Sequence, residues 1–232
     1  KNNINRKEIT SESGKSAFIS RTYLYMAIAL LISGICAYLT AFIPAVSNIV
    51  LSSKKILISL LIIELALVIV FSSLIQKLPL FAAIVVFFIY SIISGVTISV
   101  IFLCFEKNSI YTIFIISTIT FFITSMIGKY TKKDFSNLRR IIYLAFIGIL
   151  ICIVINIFLK SHIFEWITSF ISLILFIGVT ACDSQKIEEA ANHAQNNTMY
   201  KKAALFSALE LYLDFLNIFI SLLSLFGKRK DD

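Results

Sequence analysis

Seven long runs of apolar residues constrain the fold more than any other feature of the sequence. They cover about residues 20–43, 55–76, 79–104, 110–128, 140–159, 163–186 and 203–226. The hydrocarbon core of a bilayer is about 30 Å thick and is crossed by roughly 20 helical residues. Backbone polar groups inside lipid must be satisfied within the protein, so runs of this length fold as helices. The sequence therefore predicts an all-α, multi-pass integral membrane protein with seven transmembrane helices, a tail over residues 1–19, a transmembrane domain over 20–227 and a short tail over 228–232.

Composition excludes a soluble domain. Hydrophobic residues make up 59% of the chain and charged residues 15%, against about 45–50% and 25% in soluble proteins. The net charge of +8 does not indicate nucleic-acid binding, because the basic residues lie in short segments between the apolar runs and form no basic face. The four cysteines form no CxxC pair, so neither a disulfide framework nor a cysteine metal site is expected.

The distribution of basic residues predicts the orientation. With the N-terminus in the cytoplasm, fourteen Lys and Arg residues lie on the cytoplasmic side and seven on the other, as the positive-inside rule requires. The side of the C-terminal GKRKDD stays open, because a re-entrant last run would bring its three basic residues inside. The composition, rich in Ile, Phe, Lys and Asn, is typical of an AT-rich genome and favours a bacterial inner membrane.

The last apolar run carries a one-sided polar stripe. Its members are spaced 3, 4, 3, 4 and 3 residues apart: Ser207, Glu210, Asp214, Asn217, Ser221 and Ser224. At 3.6 residues per turn they fall within an arc of about 100°. Serines alone are typical of interhelical hydrogen bonding, but ionisable groups at this depth indicate a bundle interior or a water-filled path.

The sixth run carries a second polar arc, which ends in Asp183. Ser169, Ser172, Thr180 and Asp183 fall within about 80° of one another around the helix. Because one loop joins the sixth and seventh runs, Asp183 and Asp214 can face each other. Two carboxylates brought close in a low dielectric cannot both ionise cheaply and titrate as a unit. This arrangement predicts a pH sensor.

Glu64 lies alone in the middle of the second run, in LLIIELALV. An ionised group there must be paired, protonated or in contact with water. Lys77 is near the end of the same run but about 140° around the helix from Glu64, which argues against a pair within the helix.

The chain resembles the transmembrane Bax inhibitor-like family. The resemblance is carried by ISRTYLYMAIALLISGICAYLT in the first run, FIGVTACDSQKI in the sixth and ALELYLDFLNIFISLLSLFG in the last, and it extends from about residue 18 to 227. It implies a seven-helix fold with the last helix at the centre, and a pH-dependent calcium leak whose sensor is the Asp183–Asp214 pair. Asp183 and Asp214 are then the candidate calcium ligands, and the candidate pathway groups are Glu64, Glu210 and Asn217. Some relatives place an arginine latch late in the second helix, where Lys77 is the candidate cation here.

Other functions are weighed against the calcium leak. A non-transporting regulator would bind membrane proteases or cell-death and stress partners, and a proton-coupled transporter would move a substrate with protons. Intramembrane aspartyl proteases also carry two aspartates, but the second lies in a Gly-x-Gly-Asp element, whereas here it lies in LYLD. We therefore expect that the protein is not an enzyme, and we expect it to have no cofactor. The expected partners are the lipid bilayer, calcium, protons and other membrane proteins.

Overall fold

The computed structural model describes residues 2–50, 53–131, 135–159, 161–194 and 197–230. Of the basic residues that predict the orientation, Lys1, Lys132, Lys133 and Lys160 lie outside these ranges. Within them the chain forms the helices α1 (Asn2–Phe42), α2 (Pro44–Val50), α3 (Lys54–Leu74), α4 (Leu80–Ile98), α5 (Ile101–Cys104), α6 (Lys107–Tyr130), α7 (Ser136–Leu159), α8 (His162–Asn192) and α9 (Thr198–Phe226). The all-α prediction is confirmed.

The candidate membrane spans follow the apolar runs. In the described part of the chain, six helical segments are long and apolar enough to cross a membrane, and α7 contains the shorter apolar stretch Leu144–Asn156. Helix α1 begins at Asn2, so most of the predicted N-terminal tail is helical. Hydropathy marks where the lipid-compatible part of a helix begins, whereas the helix itself continues into polar sequence that still forms its own hydrogen bonds.

Prolines and one serine divide the apolar runs. Pro44 is the first residue of α2, where its missing N–H costs nothing, and Pro79 is the residue just before α4. The third run, predicted as one element, is interrupted after Ile98. There the Ser99 hydroxyl donates to the Val96 carbonyl at 2.6 Å and so competes with the helical backbone pattern.

The first of two compact units comprises Lys1–Cys104 and Ala190–Tyr212. In this unit α1 and α4 approach closely at Gly95, where a Cβ atom would clash with the backbone of Ser33 and with Cys36. Small residues allow such approaches between membrane helices, which associate by packing and hydrogen bonding. In the polar N-terminal part of α1, the Lys15 ammonium group donates a hydrogen bond at 2.7 Å to Oδ1 of Asn192, the last residue of α8.

The second compact unit comprises Phe105–Glu189 and Leu213–Asp232. Here α6 and α8 meet at Gly128, where a Cβ atom would clash with the backbone of Ala181. Helix α9 packs against α6 through aromatic rings: the centroid of Phe215 lies 5.4 Å from that of Phe114 and 5.7 Å from that of Phe121, and both ring pairs are edge-on. Edge-to-face pairs at such distances are the favoured geometry.

The residues after α9 form a strap, defined here as Gly227–Lys230, over the N-terminal ends of α6 and α8. Lys228 pairs with Glu106 at 2.8 Å, and its backbone N–H donates to Ser109 Oγ at 2.9 Å. Arg229 pairs with Glu165 at 2.6 Å. The end of α9 is therefore on the same side of the second unit as the starts of α6 and α8.

Helix α9 is the most buried of the candidate spans. Inside its most apolar stretch 61% of the residues are buried, whereas the other spans of the described chain range from 6% to 33%. Helix α3 is the span with the lowest buried fraction, 6%, and most of its apolar side chains are exposed. This is expected for a helix that faces lipid. This burial confirms the prediction that the last helix is central.

Candidate functional site

The polar stripe of α9 is turned inward. None of its six members is exposed, and Asp214 and Ser221 are buried. Ser207 and Glu210 belong to the first compact unit, whereas the stripe from Asp214 onward belongs to the second. The Asn217 amide donates to the Leu213 carbonyl of its own helix at 2.7 Å, which leaves its side-chain oxygen as the group that can accept.

Asp183 is buried on α8, with 6% of its surface exposed. Its carboxylate Oδ1 contacts the Lys186 ammonium at 2.5 Å, one helical turn further along. The next two residues fix this part of α8 against α6: Ser184 donates to Ser125 Oγ at 2.9 Å, and the Gln185 amide donates to the Thr131 carbonyl at 3.1 Å. Asp183 is thus in contact with Lys186 of its own helix, and the two residues after it hold this part of α8 against α6.

Asp214 is buried on α9, with 3% of its surface exposed. Its neighbour Phe215 packs on Phe121 of α6, four residues before Ser125, which receives the hydrogen bond from Ser184. Four helical residues correspond to about 6 Å along the axis. The two aspartate-bearing segments therefore pack against neighbouring turns of the same helix, within one compact unit.

Glu64 lies in the first compact unit. It is half-buried on α3, its Oε1 is a buried atom with no hydrogen-bond partner among the described residues, and the hydroxyl groups of Ser94 and Thr97 of α4 lie near its carboxyl group. The phenol groups of Tyr90 and Tyr212 are close enough to interact electrostatically with the carboxyl group. Glu64 is therefore not isolated, as the sequence suggested, but belongs to a buried cluster of hydroxyl groups.

Lys77, the predicted latch cation, is exposed in the turn after α3 and belongs to the first unit. In the same turn the Gln76 carbonyl accepts a hydrogen bond from Lys202 at 2.9 Å, a favourable contact at a helix C-terminus. The cation that contacts Asp183 is Lys186. The spacing of three residues between Asp183 and Lys186 was visible in the sequence as an intrahelical pair.

The described residues contain no group of three or more His, Cys, Asp or Glu side chains that could hold a metal ion. Calcium takes about six to eight oxygen ligands. An ion passing Asp183 and Asp214 would therefore also need carbonyl, hydroxyl or water oxygens.

These features define a multi-pass α-helical membrane protein with carboxyl groups buried in its spans. A family model described as "Inhibitor of apoptosis-promoting Bax1" matches residues 15–231. The chain belongs to this family, the Bax inhibitor-like membrane proteins.

Two relatives illustrate the similarity. The "Inner membrane protein YbhL" of Escherichia coli K12 is 34% identical over 224 residues, which cover 96% of each chain. A membrane protein of Streptococcus pyogenes serotype M1 is 35% identical over 222 residues, covering 94% of this chain and 96% of the relative. The match to an inner membrane protein confirms the predicted inner-membrane location.

Proposed function

We propose that the protein is a pH-sensitive calcium leak channel in which protonation of Asp183 and Asp214 gates the flow of ions. The observation that carries this proposal is the burial of both carboxyl groups, 6% and 3% exposed, within one compact unit of a Bax inhibitor-like protein. Buried ionisable groups in membrane spans generally mark ion or proton pathways.

The chemistry of the two groups supports this function. Ionised carboxylates attract a divalent cation and supply the hard oxygen ligands that calcium prefers. Protonation removes both the charge and the ligands, so it would change which of two arrangements of the surrounding helices is favoured. Calcium is the cargo in this mechanism, and protons are the regulatory ligand.

Glu64, Glu210 and Asn217 are the further candidate groups along the pathway. Glu210 and Asn217 lie on the same stripe of α9 as Asp214 and are half-buried. Glu64 contributes a carboxyl group from α3 in the first unit. Each offers an oxygen atom that a passing cation can contact.

The test is calcium flux into proteoliposomes, measured against pH. We expect Asp214→Asn to remove most of the pH dependence, because an amide of the same shape cannot titrate. Glu189→Gln is the matched control: it changes an exposed carboxylate of α8 in the same unit and should leave the profile as in the wild type. A wild-type profile for Asp214→Asn would refute the assignment.

A second candidate function is supported by the name of the family, inhibitor of apoptosis-promoting Bax1. In this alternative the protein is a non-transporting regulator that binds membrane proteases or cell-death and stress partners. It predicts no pH-dependent calcium flux in proteoliposomes, together with a membrane-protein partner that co-purifies in stoichiometric amounts.

A further inference from the structure

The strap is anchored at the start of α6 by its backbone. The N–H group of Lys228 donates to Ser109 Oγ at 2.9 Å, and its carbonyl accepts from the Glu106 N–H group at 3.0 Å. The next residue, Arg229, forms an antiparallel β-bridge with Phe105, which is buried. Hydrogen bonds between neutral groups carry no net charge that salt could screen. This anchor therefore persists when the Lys228–Glu106 ion pair is screened.

Arg229 reaches from the strap to α8 with its side chain. Its guanidinium group donates to Glu165 Oε1 at 2.6 Å, and it lies over the Phe105 ring, 5.8 Å from the ring centroid. A guanidinium group at this distance is attracted to the ring face, so Phe105 helps to hold it in place. Glu165 is in the first turn of α8, where the helix dipole favours a negative charge. The strap thus presents a positioned cation to the start of α8.

The contact between Arg229 and Glu165 is open to solvent. The two side chains are 35% and 37% exposed, and the exposed imidazole ring of His162 lies 3.8 Å from Glu165 Oε2. Ion pairs that are open to solvent are weakened by salt and contribute little to stability. The strap is therefore tied to α6 by its backbone and to α8 by a charge pair that is easily weakened.

Helices α6 and α8 are in contact at a second place, far from the strap. There Gly128 lies so close to the backbone of Ala181 that a Cβ atom on Gly128 would clash with it. Glu165 and Ala181 are 16 positions apart in the sequence, which corresponds to about 24 Å along a helix. Helix α8 is thus held to α6 by backbone packing near Ala181, and to the strap by a charge pair near its start.

We propose that Arg229 is a releasable latch between the strap and α8. In the latched state its guanidinium group holds the start of α8 beside the strap, which is anchored on α6. When salt or a substitution weakens the charge pair, the start of α8 moves away from the strap. The backbone contact between Gly128 and Ala181 keeps the two helices together at the other end. The proposal concerns the movement of α8 and does not rest on calcium transport.

Trp166, the one tryptophan of the sequence, follows Glu165 directly and reports on the start of α8. It stacks on Phe170 of the same helix, with ring centroids 5.6 Å apart, so it moves with α8. The measurement is the anisotropy of its fluorescence, for the full chain in lipid nanodiscs, during a titration with sodium chloride. We expect the anisotropy to fall as salt is added, because a released helix start moves more freely. An anisotropy that is insensitive to salt would overturn the proposal.

Arg229→Gln separates the latch from general effects of salt. Because the charge pair is then absent from the outset, the anisotropy at low salt should already have the low value that the wild type reaches at high salt. Further salt should not lower it. Lys129→Gln, at the other end of α6 in the same unit, is the matched control and should keep the wild-type value and salt response. Equal anisotropy of Arg229→Gln and the wild type at low salt would contradict the latch.

Charge reversal tests whether the pair itself, and not the bulk of the arginine, holds α8. Glu165→Arg and Arg229→Glu each place like charges together and should each lower the anisotropy. The double variant restores the attraction with the charges exchanged, so its anisotropy should lie above that of either single variant. A double variant no higher than the single ones would contradict the proposal. The salt titration of the wild type needs no substitution and decides the question even if a variant does not fold.

Discussion

Asp183 and Lys186 lie one turn apart on α8, where the ammonium group contacts the carboxylate at 2.5 Å. The Asp183 side chain is 8% exposed and that of Lys186 36%, so one partner is buried and the other reaches toward solvent. Long basic side chains can extend in this way because their aliphatic stems pack on apolar surface. Lys186 is therefore a positioning residue for the proposed sensor.

The role of Lys186 can be separated from that of Lys77 by matched substitutions. We expect Lys186→Gln to change the flux-against-pH curve, because the buried carboxylate of Asp183 loses the ammonium group that contacts it at 2.5 Å. Lys77→Gln, in an exposed turn, should leave the midpoint unchanged. The measurement is calcium flux in proteoliposomes over a pH series. A shift with Lys77→Gln alone would assign the latch to Lys77 and contradict the role given to Lys186.

At the scale of elements, α6 supports both aspartate-bearing segments. Its Phe114 and Phe121 pack against Phe215 of α9, and its Gly128 lies against Ala181 of α8. At Gly128 the two helices are in contact through backbone atoms. A larger distance between α6 and α8 at this point would therefore require a whole helical turn to move, and not only a side chain. The position of Asp183, two residues after Ala181, depends on this approach.

The close approach of α6 and α8 predicts the effect of a single methyl group. Gly128→Ala should lower the free energy of unfolding by about 1–3 kcal/mol, the usual cost of overpacking, and it should alter the pH dependence as Asp183 shifts. Gly148→Ala is the control, because a Cβ atom there meets nothing within 4 Å. Alanine is the better helix former by about 1 kcal/mol, so this variant should be neutral or stabilising. The measurement is thermal unfolding in detergent, and equal effects at both positions would contradict the packing argument.

Residues that share a helix were predictable from the sequence, and those that meet across helices were not. The stripe through Asp214 follows from the spacing within one run, and the boundaries at Pro44 and Pro79 follow from proline geometry. In contrast, the hydroxyl oxygens of Ser33 and Tyr212 lie 2.5 Å apart although the two residues are on different runs, and no periodicity relates them. Glu64 appeared isolated for the same reason: the hydroxyl groups near it lie on one turn of another helix, and hydropathy does not show which helices are neighbours.

At the scale of the whole molecule, the strap bears on the number of membrane crossings. Because the N-terminal ends of α6 and α8 both contact it, the two helices begin on the same side. Helix α7 must then cross the membrane, even though its clearly apolar stretch is only Leu144–Asn156. Helix α9 ends on that side as well. Four crossings, by α6, α7, α8 and α9, account for these contacts, whereas a re-entrant last run would place the strap at the opposite ends of α6 and α8.

The side of the strap is tested by reporter fusions. With the N-terminus in the cytoplasm, seven crossings place Lys230 outside. Alkaline phosphatase fused after Lys230 should therefore be active, and green fluorescent protein fused there should be dark. Fusions after His193, in the turn that follows α8, should give the opposite pair of results, because α8 ends on the cytoplasmic side. Fluorescence after both Lys230 and His193 would show that α9 does not cross, and would restore the re-entrant arrangement that the balance of basic residues left open.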